Sequence, residues 1–345
     1  MPEKRPENRI VRVTSFDVAE AAGVSQSTVS RALAGDTSIS EPTRKRVTEA
    51  ALRLNYQVDE NAARLRRGRT GTLALVMICR HGQDRKDLNP FYFALLGSTC
   101  AAAAARGYEV LVAFQDSPAN FWGRYQERRK ADGMIVIGTS ENTEAWDYFG
   151  TLGEGTNWVC WGAPSDDFPW VRSDNHAGAM LATRHMLVHG YRNIVCLGSE
   201  TSPQRQFKER YDGYADAMRD AGLEPFLQRI ERGQPREEQG RLAAAALVES
   251  GRPFDGIFGV SDEIALGALK ELASRGYRIP EDVGVVGFDG VRAGAWSAPP
   301  LTTVESDFEV AGSLLVDRLI ATIGGEAPSP RRVPVRLVVR GSTRP

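Results

Sequence analysis

The chain has 345 residues, enough for two or three domains and a sizeable core. Its formal net charge of -1 hides a division: residues 1–70 carry 13 Lys+Arg against 9 Asp+Glu, and the remaining 275 carry 30 against 35. A basic head on an acidic body suits a head that meets nucleic acid, and with no signal-peptide core or membrane-length apolar run the expected location is the cytoplasm.

The four cysteines, Cys79, Cys100, Cys160 and Cys196, lie far apart and mostly within apolar runs. No pair has metal-ligand spacing, so they read as reduced core residues, and no metal or other cofactor is expected.

In chain order, the first two elements lie within Thr14–Leu33, where two short helical patterns break at Gly23. Thr14 caps the first, with Asp17 three residues on, and Ser25 caps the second. Phe16, Val18, Ala19 and Ala22 supply one apolar face; Val24, Val29, Ala32 and Leu33 supply the other. This is the pattern of a helix-turn-helix, whose second helix would present Gln26, Ser27, Thr28, Ser30 and Arg31 to base edges and phosphates. An ordinary helical hairpin is the competing reading. A third helix, opened by Ser40-Glu-Pro42, carries Val47, Ala50, Ala51 and Leu54 inward and closes the head near Tyr56. Residues 57–71 are polar, hold four arginines and end in two glycines. They read either as a flexible tether or as a segment that becomes helical only against DNA and a partner chain.

From Leu73 the rhythm changes. Six short apolar runs follow, Leu73–Cys79, Gly133–Ile137, Trp158–Trp161, Ile194–Leu197, Gly256–Val260 and Val283–Phe288. Helical patterns separate them, such as Phe93–Arg106, Ala177–His189, Tyr211–Ala221, Glu238–Ser250 and Glu263–Arg275. Strands alternating with helices predict parallel sheets covered on both faces, here two similar α/β subdomains with a ligand cleft between them. A tail with one helix, Phe308–Ile323, and a last strand, Val333–Val339, is placed to cross back and complete both. The expected fold is therefore a small all-α three-helix head plus an α/β core of two parallel-sheet subdomains.

At this point the sequence resembles the LacI/GalR family of transcription regulators. The resemblance runs from Thr14 to about Arg340. It is carried by Asp17-Val-Ala-Glu-Ala-Ala-Gly-Val-Ser25, Thr28-Val-Ser-Arg31, Leu54-Asn-Tyr56, Asn89-Pro-Phe91, Asp132-Gly-Met-Ile-Val136, Asp174-Asn175, Val286-Gly-Phe-Asp289 and Pro300-Leu-Thr-Thr-Val304. It implies a DNA-binding head (13–57), a hinge helix or linker (58–71) and a periplasmic-binding-protein-like core (72–340). Within that core the expected subdomains are about 72–172 with 301–330, and about 173–300 with 331–340.

By the same resemblance, Gln26, Ser27 and Arg31 match base-facing positions. Ser25, Thr28 and Ser30 match positions that hold the DNA backbone or a base edge, and Thr14 a phosphate contact. Leu65 matches a leucine wedged into the minor groove, and Ala62 a small residue beside it. The hinge departs from the family in starting Val58-Asp59 where many members have Pro-Asn. In the cleft, Arg210 and Asp289 match positions that bind polar ligand groups, a donor fork and an acceptor as a polyol needs. Phe91, Tyr92 and Phe93 match ligand-facing aromatics, with core packing as the bland role. Trp161 divides evenly between stacking on a sugar and burial. Ser261, Asp262 and Ser306 match further cleft positions. Pro235 stands where relatives often carry a stacking aromatic, which leaves Trp161 and Trp296 as substitutes.

The implied function is a repressor of carbohydrate-utilisation genes. It would bind a palindromic operator as a homodimer and respond to a sugar or sugar derivative. A purine-type effector or a protein co-regulator is the alternative, and a transport-type sugar-binding protein is more distant. No nucleophile elbow, Walker loop or dinucleotide fingerprint follows a strand, so an enzyme is not expected. His185 and His189, spaced i and i+4 without the metalloprotease Glu, read as one buried and one solvent-facing histidine.

Overall fold

The computed structural model describes residues 13–56, 68–82, 84, 88–153, 155–327 and 329–344. They fall into two compact units, divided in sequence between Arg69 and Thr70.

The head is built from α1 (Ser15–Ala22), α2 (Gln26–Leu33) and α3 (Glu41–Arg53). Thr14 and Asp17 form a capping box: the Thr14 N–H donates to Asp17 Oδ2 at 2.7 Å, and Thr14 Oγ1 accepts from the Asp17 N–H. Those bonds hold the Asp17 carboxyl below its ordinary range. Gly23, at φ 63°, takes the left-handed conformation that ends α1 without Cβ strain. Val18, Ala19, Val29, Ala32, Val47, Ala50 and Ala51 form one buried cluster, against which Leu33, Leu54 and Tyr56 pack. Phe16 departs from expectation, being 71% exposed. Two residues before Val18 on a 3.6-residue helix, it points about 200° away from the core-facing direction. The hinge positions Val58, Asp59, Ala62 and Leu65 lie outside the described residues.

The core contains two six-stranded sheets. The first uses β1 (Thr72–Ile78), β2 (Glu109–Gln115), β3 (Gly133–Gly138), β4 (Trp158–Trp161), β5 (Trp170–Ser173) and β11 (Arg331–Val333), in the order β11-β5-β4-β3-β1-β2. The second uses β6 (Ile194–Gly198), β7 (Phe226–Arg229), β8 (Gly256–Gly259), β9 (Gly284–Phe288), β10 (Thr302–Ser306) and β12 (Val335–Val338), in the order β12-β10-β9-β8-β6-β7. All pairings are parallel except β10 with β12. The helices are α4 (Pro90–Ala105), α5 (Thr143–Gly150), α6 (Asn175–Val188), α7 (Arg205–Asp220), α8 (Arg236–Glu249), α9 (Asp262–Ser274), the short α10 (Arg292–Ala295) and α11 (Phe308–Ile323). The helices α8 and α9 pack backbone to backbone, because a Cβ on Gly267 would lie 1.8 Å from the Glu237 carbonyl oxygen.

Two expected boundaries move. Residues 302–306 pair with β9 and so belong to the second sheet, while α11 packs on β3, β4 and β5 of the first. The crossovers therefore fall near 306–308 and 333–335 rather than at 300/301 and 330/331. The expected strand Val333–Val339 is two strands: Arg331–Val333 pairs with β5, Pro334 intervenes without an N–H to donate, and Val335–Val338 pairs with β10. All four cysteines are free thiols, and burial pushes Cys160 and Cys196 upward. The two histidines are both half-buried, with ring centroids 4.3 Å apart. His185 Nε2 lies 3.0 Å from Thr343 Oγ1, which ties it to the tail rather than to a ligand site.

Candidate functional sites

On the head, α2 carries a short amphipathic sequence whose buried residues are Val29 and Ala32. The opposite face is polar. Ser25, Ser27 and Arg31 are exposed, and Gln26, Thr28 and Ser30 are half-buried. Ser25 has a structural task, accepting from the Thr28 N–H at 3.2 Å, and its hydroxyl also meets Ser27 Oγ and Thr28 Oγ1 at 2.8 Å. Gln26 Nε2 donates to Ser15 Oγ at 3.1 Å, joining the start of α2 to α1. Arg31 is held by Asp36 at 2.9 Å and donates to Ser38. An exposed pair of this kind is weak, so it pre-orients the guanidinium without committing it. The face thus presents donors and short hydroxyls with no carboxylate among residues 25–31, a surface shaped for phosphates and base edges.

In the core, a cavity of about 700 Å³ draws its walls from both lobes. The first lobe contributes Asn89, Phe91 and Tyr92 at the start of α4, Thr139 after β3, Trp161 at the end of β4, and Arg172. The second contributes Asn175, Gln204, Phe207, Arg210, Pro235, Arg236, Ser261, Glu263 and Asp289. These positions follow strand ends or open helices, where side chains of parallel sheets converge on a ligand.

Arg210 organises the second-lobe wall. Its Nε donates to Asn175 Oδ1 at 2.9 Å, its Nη1 to the Val260 carbonyl at 2.7 Å, and its Nη2 pairs with Asp289 Oδ1 at 2.9 Å. The guanidinium carbon lies 3.7 Å from the Phe288 ring centroid. Asp289 sits at φ 118°, a costly conformation for a residue with a Cβ and one that recurs at ligand sites. Burial pushes its carboxyl up, and Arg210 only partly pulls it back.

Three expected cleft residues are elsewhere. Phe93 is 42% exposed and absent from the cavity wall, because Phe91, two residues before it on α4, faces the core. Asp262 is fully buried and clamps the backbone, accepting from the Val291 N–H at 2.7 Å and Thr303 Oγ1 at 2.5 Å. Ser306 is buried beside Ser173, with their oxygens 2.6 Å apart at a crossover between lobes. Trp296, the suggested substitute aromatic, is 79% exposed and does not line the cavity. Trp161 does, with its ring centroid 5.7 Å from that of Phe91. Phe207 also lines the cavity, and Arg236 stacks on it with its guanidinium carbon 4.7 Å from the ring centroid.

Sequence reasoning gave no cleft role to Thr139, Arg172, Gln204, Phe207, Arg236 or Glu263, and quoted Asn89 and Asn175 only within the stretches Asn89-Pro-Phe91 and Asp174-Asn175. Arg172 is buried in β5 and donates to the carbonyls of Gly162 and Ser165 and to Asp166. Glu263 accepts from Asn89 Nδ2 across the cleft at 2.9 Å. Its carboxyl is pushed up to about 7 by burial and the nearby Asp289 carboxylate, with Arg236 and Arg80 opposing. Glu141 of the first lobe pairs with Arg236 of the second and lies 3.3 Å from Arg80 Nε.

Residues 16–59 match the model for bacterial regulatory proteins of the lacI family, and residues 183–343 match a periplasmic binding protein-like domain. The HTH-type transcriptional repressor CytR of Escherichia coli K12 is 30% identical over 346 residues, covering 96% of each chain. A solved CelR–cellobiose complex superposes with a TM-score of 0.67 at 28% identity, over 96% of this chain and 100% of that one. The Lac repressor dimer bound to operator and the anti-inducer ONPF gives 0.75 at 24% identity, over 96% and 99%, and shows the fold. The helix-turn-helix head and the two-lobed, cavity-bearing core are thus those of a transcription regulator, and the chain belongs to the LacI family.

Proposed function

We propose that this regulator is a repressor that binds a palindromic operator as a homodimer in the cytoplasm and releases or tightens its hold when a sugar occupies the core cavity. The observation that carries the reading is the cavity itself. Its walls come from both lobes, and it combines a buried Arg–carboxylate pair, amide side chains and the aromatic faces of Trp161, Phe91 and Phe207. Fixed donors and acceptors beside aromatic rings suit a ligand with hydroxyls on its edges and C–H groups on its faces.

In the head, Gln26, Ser27 and Arg31 would read bases, with Thr14, Ser25, Thr28 and Ser30 holding the backbone or a base edge. Ala62 and Leu65 would enter the minor groove of the operator. In the core, Arg210, Asp289, Ser261, Tyr92, Phe91 and Trp161 would contact the effector. A ligand bridging the lobes changes their relative stance, and linkage requires that operator affinity then change by the factor by which DNA changes ligand affinity.

The test pairs a thermal-shift screen of sugars and nucleosides with fluorescence anisotropy on the palindrome upstream of the chain's neighbouring genes. A sugar that raises the core's melting temperature and shifts operator affinity supports the reading. A nucleoside that does so in its place, or no small molecule at all, refutes the sugar assignment.

A further inference from the structure

The cavity wall is rich in arginine, yet its cations are already engaged. Arg210 is paired with Asp289, Arg172 with Asp166 and Glu209, and Arg236 with Glu141, which also lies 3.3 Å from Arg80. An anionic ligand would have to displace a protein carboxylate from one of these pairs. Glu263 is the reverse case. It lines the same cavity in the first turn of α9, and its hydrogen-bond partner is the neutral amide of Asn89, the cap residue of α4 on the opposite lobe. Among the described residues no cation lies within ion-pair distance of it. A half-buried carboxylate with one neutral donor has acceptor capacity left, and that capacity faces the cavity.

We propose that Glu263 is the specificity-determining residue of the cleft: its carboxylate takes hydroxyl or amino donors from an uncharged or cationic polyol and excludes phosphorylated and carboxylated sugars. This rests on the reading of the cavity as a polyol site. Glu263 also joins the starts of two helices on opposite lobes through Asn89, so a donor arriving at the carboxylate meets the bond that holds the lobes together there. The charged and titratable groups that surround Glu263 are Asp289, Glu237, Arg236, Arg80 and Tyr92. The two carboxylates add to the rejection of an anion, and the two arginines are shared with Glu141.

The experiment is a thermal-shift and calorimetric screen of the full chain at pH 8, where the Glu263 carboxyl is mostly ionised, against charge-matched sets of one sugar skeleton. Glucose, glucosamine, glucose 6-phosphate and glucuronate form one set, with the corresponding galactose series and the disaccharide cellobiose beside them. The proposal expects binding confined to neutral and amino members. Glu263→Gln, which keeps the shape and the Asn89 contact, should weaken the best binder at least tenfold and narrow the gap between it and its anionic counterpart. A phosphorylated or carboxylated member that binds more tightly than its neutral counterpart overturns the role of Glu263 and leaves the polyol reading intact. So does a Glu263→Gln protein that unfolds like the wild type and binds equally well. Binding by no member of any charge class overturns both.

Discussion

Arg210 and Asp289 form a buried ion pair with both partners in the cavity wall, their side chains 5% and 10% exposed, and a double-mutant cycle tests whether they act as a unit. Arg210→Met keeps an apolar stem over Phe288 but removes the guanidinium from Asn175, the Val260 carbonyl and Asp289. Removing one partner of a buried pair costs about 3–5 kcal/mol, because the other charge is left without compensation. Asp289→Asn also removes a charge from the pair, but it retains an acceptor oxygen, and Arg210 keeps Asn175 and the Val260 carbonyl as acceptors, so its cost should be lower, about 1.5–3 kcal/mol. In the double variant the uncompensated carboxylate is gone, and the total should fall short of the sum by at least about 1.5 kcal/mol. Urea unfolding followed by tryptophan fluorescence reads this cleanly. Every tryptophan lies beyond residue 120, so the head is silent. Additivity within about 0.5 kcal/mol would refute the claim that the pair is one energetic unit.

Arg31→Ala should leave the head's stability within about 1 kcal/mol, since its ion pair with Asp36 is exposed. It should cost about 1–3 kcal/mol of operator binding and relax selectivity at one base, read by anisotropy on a single-substitution operator panel. Gly267→Ala drives a Cβ into the Glu237 carbonyl and should destabilise the core by about 1–3 kcal/mol. Gly97→Ala on α4 meets nothing within 4 Å and should be neutral or stabilise by about 0.5–1 kcal/mol, so the pair of urea midpoints separates packing from helix propensity. Glu263 and Asp262 are both pushed up to about 7, from ordinary values of 4.5 and 3.8. The folded core therefore holds protons that the unfolded chain releases. Their contribution is full below the ordinary values and declines as pH rises through about 7. Core stability should fall between pH 5 and pH 8. Glu263→Gln should flatten that fall by up to about 3 kcal/mol, each tenfold in proton affinity being worth about 1.36 kcal/mol.

The helices and central strands were legible because their signals are local. Phe308–Ile323 was placed to the residue and Trp158–Trp161 likewise, each an apolar pattern bounded by turn residues. Strand Glu109–Gln115 escaped although Val110–Phe114 is an apolar run; it lies at a sheet edge, where much of that run stays exposed. Trp170–Ser173 escaped because a four-residue strand with an arginine inside it reads as loop, and only the fold shows that Arg172 is buried among carbonyls. Which sheet residues 302–306 join is a non-local question, settled by pairing with β9 and β12. The site divides in the same way. Arg210 and Asp289 carried a recognisable pattern, whereas Asp262 and Glu263 are adjacent acids whose roles diverge by one step around α9. One points into the backbone of residue 291, the other across the cleft to Asn89.

Closure of the cleft is held by polar bridges rather than by a shared core. Asn89 reaches Glu263 at 2.9 Å, Gln204 reaches Thr139 at 3.2 Å, Arg205 reaches Asp166 at 2.5 Å, and Arg236 reaches Glu141. The Arg205–Asp166 pair is part-exposed and worth about 0–1 kcal/mol, and the buried Gln204–Thr139 bond about 0.5–1.5 kcal/mol net. The buried Arg172–Glu209 pair, also between lobes, loses in desolvation much of what it gains, so these bridges together hold the lobes by only a few kcal/mol. That is the size of gap at which a second conformation is detectably populated and a ligand's differential affinity tips the balance. Glu141 is the most leveraged of these groups, because it meets Arg236 of the opposite lobe and Arg80 of its own. Glu141→Ala should therefore open the core and weaken effector binding by up to about tenfold, as the closed fraction falls. Pulsed dipolar distances between spin labels at the exposed Glu144 and Glu231, one on each lobe, should lengthen and broaden. An unchanged distribution alongside weaker binding would mean that Glu141 acts on the ligand and not on the lobes.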